Sequence, residues 1–260
     1  MTEKYVITSG KGGVGKTTVT ANLAKELANK GYRALVIDGD IGLNNLDVLT
    51  GVEQSLTFDL SDVINNRCRA RQALCESPLS PNLFVLPSTR TVSTLEVTVE
   101  QVKAVIEEVE ELFDYIFIDC PAGIDASFHR AVSLSEKAIV VVTPSITSVR
   151  DADKVISILK SYDLTSINIV VNRLRGDLVL SGESLSVEEV ESALKLVVLG
   201  AIPEDDVLSY NRSIGRVGNS AKAFKNLALS LMGKPYKVYD YTKKYTGFFG
   251  SIRKELKKRL

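Results

Sequence analysis

Cysteine and histidine are scarce in this chain. Cys68, Cys75 and Cys120 stand at spacings that match neither a zinc site nor a CxxC redox pair. Their odd number argues against a disulfide framework and fits a reducing cytoplasm. The single histidine, His129, cannot build a metal site alone and reads as a structural or surface residue. No apolar run approaches the roughly 20 residues of a membrane-spanning helix, and the opening residues do not read as a signal peptide. Internal repeats and low-complexity stretches are absent. So is a charge excess: 32 Lys and Arg balance 32 Asp and Glu, leaving no basic surplus of the kind that marks a nucleic-acid-binding chain. The balance conceals an asymmetry. Residues 243–260 hold seven basic side chains (Lys243, Lys244, Arg253, Lys254, Lys257, Lys258, Arg259) against one acid, Glu255, a surplus of +6 that leaves −6 on the rest.

What is present begins with 260 residues, 45% of them hydrophobic, enough for one α/β domain with a sizeable core. The stretch Ser9-Gly10-Lys11-Gly12-Gly13-Val14-Gly15-Lys16-Thr17-Thr18 fits the phosphate-loop pattern G-x-x-x-x-G-K-[ST]. The glycines let the backbone turn tightly and bring its N–H groups to phosphate oxygens. A helix opening behind them favours an anion at its N-terminus. Lys16 is spaced to reach the β- and γ-phosphates and Thr17 to hold Mg²⁺, so ATP and Mg²⁺ are the expected ligands. The context is the required one. Lys4–Thr8 reads as a strand, and Thr18–Lys30 as a helix stopped by Gly31.

Further apolar runs read as buried parallel strands: Ala34–Ile37, Leu83–Pro87, Tyr115–Ile118, Ala138–Pro144, Ile167–Arg173 and Val197–Ile202. Between them, Val99–Leu112 is amphipathic, Ser186-Val187-Glu188-Glu189 is a capping box, and Asn219–Met232 closes the domain as a helix. Residues 54–80 read as a short helical excursion. The alternation predicts a doubly wound α/β fold with a mostly parallel sheet of about seven or eight strands and helices on both faces. Asp38 and Asp40 follow the second strand, where ligands sit in such sheets; Asp40 is placed to orient a water opposite the γ-phosphate. Strand-end capping and turn chemistry are the competing reading for both, with function favoured for Asp40. Asp119 ends a strand in the manner of a Walker B carboxylate and is a second candidate for Mg²⁺. Cys120 reads as a small buried residue. Asn172, at a strand end, can exchange hydrogen bonds with an adenine edge.

Lys11, inside the loop, has no place in the minimal pattern. Lys-Gly-Gly-Val-Gly-Lys-Thr resembles the deviant Walker A loop of the MinD/ParA family of dimerising ATPases. Pro121-Ala122-Gly123-Ile124, Ser148-Val149-Arg150-Asp151 and Ile202-Pro203-Glu204-Asp205 resemble MinD-type members as well, so the likeness spans essentially the whole chain. The resemblance implies that Lys11 reaches across a dimer interface to the partner's nucleotide, that Asp40 is needed for hydrolysis and contributes to the metal site, and that Asn172, Arg173 and Pro203 hold the base. With Gly12, Gly13, Val14, Gly15, Lys16, Thr17 and Thr18 these form the expected nucleotide site. The family positions the division site by recruiting a MinC-like inhibitor and being discharged by a MinE-like activator. A ParA-type or flagellar-number-regulating ATPase is the alternative within the same superfamily.

At 100° per residue, Tyr245, Phe248, Phe249, Ile252, Leu256 and Leu260 fall in one sector of a terminal helix. Lys254, Lys257 and Lys258 face the other way, the signature of an interfacial membrane helix. A packed core helix would not need so many lysines; a partner-docking helix and a nucleic-acid tail are the remaining rival readings. The expected organisation is therefore an ATPase domain over 1–235, a linker over 236–244 and a membrane-targeting helix over 245–260. The expected partners are a second copy of the chain and an anionic membrane surface rather than nucleic acid.

Overall fold

A computed structural model describes residues 1–39, 46–88, 97–121, 123–205, 220–247 and 250. Among these, eight strands form one sheet in the order β3-β4-β2-β5-β1-β6-β7-β8. In chain order they are β1 (Glu3–Thr8), β2 (Ala34–Asp38), β3 (Cys75–Glu76), β4 (Leu83–Leu86), β5 (Tyr115–Asp119), β6 (Lys137–Val142), β7 (Ser166–Leu174) and β8 (Val198–Pro203). All pairs are parallel except β3–β4.

The helices are α1 (Lys16–Ala28), α2 (Leu46–Thr50), α3 (Leu60–Ile64), α4 (Ala70–Ala73), α5 (Val99–Val109), α6 (Ala126–Ser133), α7 (Ile146–Leu159), α8 (Gly176–Leu180), α9 (Val187–Leu194) and α10 (Ala221–Leu231). They cover both faces of the sheet. Successive strand residues point to opposite sides, so Leu35, Ile37, Ile116 and Ile118 join one core with α5, α6, α7 and α9. Val36, Tyr115 and Phe117 join the other, with α1 and α10. Such two-sided burial explains the near-continuous apolar runs of the central strands.

The apolar face expected for Val99–Leu112 is the buried one: Val102, Val105, Ile106, Val109 and Phe113 are all under 9% exposed. The Ser186 capping box is formed with Glu189 as read from sequence. The first helix differs from expectation, starting at Lys16 instead of Thr18, because Gly15 caps it in the left-handed region at φ 97°. Residues 54–80 are not wholly helical. After α3 and α4, Cys75–Glu76 adds an antiparallel edge strand, with Cys75 opposite Val85. Two residues carry no period; the turn that returns Ser77 N–H to Leu83 O sets that pairing. Among the described residues no helix is long and apolar enough to cross a membrane.

A candidate nucleotide site at the switch point of the sheet

The chain leaves β1 between its two neighbours β5 and β6, the topological switch point where open α/β sheets bind ligands. The loop between β1 and α1 lies at the carboxyl ends of these strands. Two of its glycines are dictated by close approach. A Cβ on Gly10 would come within 2.2 Å of the Asp151 carbonyl carbon and oxygen and 2.6 Å of Ala152 N, so the loop runs directly against the backbone of α7. A Cβ on Gly15 would lie 2.4 Å from Asn172 Nδ2.

Side chains then fix the loop. Ser9 Oγ donates to Lys11 O at 2.8 Å, and buried Lys16 Nζ donates to Ser9 Oγ at 3.1 Å. Lys11 is exposed, as are Gly12 and Gly13, while Val14 is buried beneath them. Thr17, in the first turn of α1, is half-buried. One turn on, the Thr20 hydroxyl lies 2.9 Å from Lys16 O and 3.1 Å from Asp119 Oδ1, tying α1 to the end of β5. Asp119 and Asp38 are 5% and 4% exposed and stand side by side in the β2–β5 register. Gly39 N donates to Asp119 O at 2.9 Å. Hard oxygen donors, few of them protein-derived, suit Mg²⁺, which keeps most of its shell for water and phosphate. Thr17 and Asp119 fit that pattern, and among the described residues no all-protein cluster of His, Cys, Asp and Glu could hold a metal instead.

The base-binding expectations also converge. A small cleft is lined by Gly15, Thr18, Asn172, Arg173, Pro203, Glu204 and Asp205. Asn172, 7% exposed, donates Nδ2 to Val14 O at 2.8 Å, which leaves its Oδ1 to accept from a ligand. The β7–β8 register shifts between Val171 and Leu174. Arg173 takes φ 58° there, a left-handed conformation uncommon outside glycine.

Cys120 is buried at the end of β5. Burial pushes its thiol up to about 12, outweighing the opposite pull of Lys16, so it is no nucleophile. His129 sits exposed on α6 against the Tyr162 hydroxyl. Asp40 lies outside the described residues, as do Phe248, Phe249, Ile252, Lys254, Leu256, Lys257 and Lys258. Sequence reasoning missed Ser9, Thr20 and the Asp151–Ala152 backbone. Thr20, four residues after Lys16 on one helix face, was the only one of these with a readable signal.

A family described as an AAA domain matches residues 2–171. The septum site-determining protein MinD of Synechocystis is 38% identical, over 98% of this chain and 99% of its own length. The chain belongs to the MinD family. Its structure superposes on MinD from the Aquifex aeolicus MinC:MinD complex with a TM-score of 0.83 at 36% identity, covering 92% of this chain and 99% of the other. MinD of Pyrococcus horikoshii, solved with Mg-ADP, gives 0.77 at 30% identity, covering 89% and 96%.

Proposed function

We propose that this chain is a division-site-positioning ATPase that binds Mg-ATP in the loop between β1 and α1, dimerises on ATP, attaches reversibly to the inner face of the cell membrane and leaves it on hydrolysis. The observation that carries the reading is the convergence of buried Lys16 and Asp119 and half-buried Thr17 with the Asn172–Pro203 cleft, which the Asn172–Val14 hydrogen bond ties to the loop. Loop amides and Lys16 neutralise the phosphates, where phosphoryl transfer depends on positioning and electrostatics. Thr17 and Asp119 would hold Mg²⁺, which would supply charge neutralisation to the phosphates. Asn172 Oδ1 accepts from an exocyclic amine, which adenine has at that edge and guanine replaces with an acceptor. Asp40 orients the attacking water, and Lys11, exposed at the loop's rim, reaches a partner's nucleotide.

The MinC of the Aquifex complex is the model for the inhibitor this chain recruits, with a MinE-like activator discharging it. Membrane attachment is assigned to Phe248, Phe249, Ile252 and Leu256, with Lys254, Lys257 and Lys258 facing anionic headgroups. A single tail binds weakly; two tails on one dimer gain about 10²–10⁴ in avidity. Sedimentation with anionic liposomes tests this directly. ATP should bring the protein down and ADP should not; equal binding in both states removes the nucleotide switch.

A further inference from the structure

The approach to the tail is not a free tether. Tyr241 and Tyr245 are 9% and 7% exposed. The Tyr241 backbone crosses α8 so closely that a Cβ on Gly176 would meet its carbonyl oxygen at 2.1 Å. The Tyr241 hydroxyl accepts from Val187 N, the first residue of α9, at 3.4 Å. Gly247 then turns the chain at φ 74°, and Gly250 packs on the Tyr245 backbone. The tail is therefore launched from the α8–α9 side of the domain.

Beside that launch point is a cleft of about 570 Å³ between the start of α7, the α8–α9 loop and the start of α9. Its apolar wall includes Ile146, 76% exposed, with Val179 and Leu185; Leu180, 45% exposed, flanks it. Glu183 and Glu189 supply its charge, with no Lys or Arg among its lining residues, and exposed Glu188 is next on α9. Ser184 Oγ and Leu185 N both donate to Pro144 O, at 2.9 and 3.1 Å, which holds the two walls together. Apolar wall and acidic rim are the complement of the chain's own tail sequence, whose apolar set is Phe248, Phe249, Ile252 and Leu256 and whose other side is lysine.

Length allows the match. From Gly176 under the tail root to the cleft wall at Val179 is within the roughly 8 Å that five helical residues span. Residues 248–260, beyond the Gly247 turn, would cover about 20 Å as a helix. The charge asymmetry points the same way, since the +6 of the last eighteen residues faces a −6 remainder.

We propose that the amphipathic tail docks in cis in this acidic cleft, so that the cleft and anionic lipid compete for the same side chains. The inference rests on the membrane reading above and adds a masked state to it: release from the cleft becomes a second control on membrane residence, beside dimer avidity.

The chain has no tryptophan, so Phe249→Trp in the full chain makes the tail its only indole. Without vesicles its emission should be blue-shifted, independent of protein concentration, and should return to that of a water-exposed indole on adding Glu183→Lys or Ile146→Ser. Both are exposed positions, so each variant should keep the parent's thermal unfolding. With phosphatidylglycerol vesicles and ADP, the same two variants should reach half-binding at roughly fivefold less lipid, the scale of one exposed ion pair. Solvent-like emission in the vesicle-free parent overturns the proposal, as does indifference to both substitutions. A blue shift that disappears on dilution also overturns it and assigns the cleft to a second copy. If vesicles shift no variant while the cleft substitutions still do, docking stands and the membrane reading falls.

Discussion

Gly10→Ala tests the architecture of the site at its tightest point. The new Cβ would lie 2.2 Å from the Asp151 carbonyl and 2.6 Å from Ala152 N, where carbon contacts relax only near 3.5–4.0 Å. Both obstacles are helix backbone, so neither can rotate away. Either α7 retreats or the loop lifts. Overpacking of this kind costs about 1–3 kcal/mol, and at this chain length each kcal/mol lowers Tm by about 2–4 °C. Lifting the loop by an ångström or more also spoils its amide bonds to an anionic phosphate, each worth about 1.5–3 kcal/mol. The expected weakening of Mg-ATP is therefore ten- to a hundredfold, at about 1.4 kcal/mol per decade in Kd. Gly13→Ala is the control. Gly13 has nothing within 4 Å but sits at φ 75°, so its cost is conformational, about 1–2 kcal/mol. Calorimetric titration, thermal unfolding and amide exchange separate the two. Only Gly10→Ala should speed exchange around Asp151–Ala152 in α7. A Gly10→Ala protein with the parent's Tm and ATP affinity would refute the close packing of loop on α7.

Lys11→Ala should leave monomer nucleotide affinity intact, because Lys11 is exposed at the rim, and should abolish the ATP dimer in size-exclusion chromatography; Asp40→Ala should instead trap a dimer that does not turn over. Lys16→Ala and Thr17→Ala should each remove useful Mg-ATP binding, by loss of a phosphate contact or a metal ligand, as read by titration. Asn172→Asp puts a carboxylate opposite the Val14 carbonyl and should cost about 1–3 kcal/mol in stability, together with any preference for adenine over guanine nucleotides in competition binding. Cys120 should resist iodoacetamide at pH 8 in the native protein and react on unfolding. Its folded thiol is pushed up to about 12 by burial, so the unfolded state loses that proton first, and its contribution to stability should fall as pH rises from about 9 toward 12. A Cys120→Ala variant with the same alkaline slope would show that another group is responsible.

Local signals in this chain were strong wherever a residue's role depends on its own type and its near neighbours. The phosphate loop is legible because phosphate binding needs glycine torsions, a lysine and a hydroxyl at fixed spacing. The α5 face and the Ser186 capping box are legible because helical period and capping act within one turn, and both stand as read. The strands of the central sheet are legible because burial on two faces leaves no polar alternation. What tertiary structure decided are contacts between segments far apart in the chain. Gly10 against Asp151, Asn172 on Val14, and Thr20 on Asp119 each join elements separated by roughly a hundred residues or more, where no period or spacing carries information. The edge strand Cys75–Glu76 escaped for the opposite reason, being too short to have a pattern and held by the turn that follows it. The start of α1 moved to Lys16 because one glycine took a left-handed torsion, a choice that propensity leaves open and the packing of loop on Asn172 closes. The seat of the tail root on α8 likewise came from the fold alone: Tyr241 finds room only because Gly176, sixty-five residues earlier, lacks a side chain.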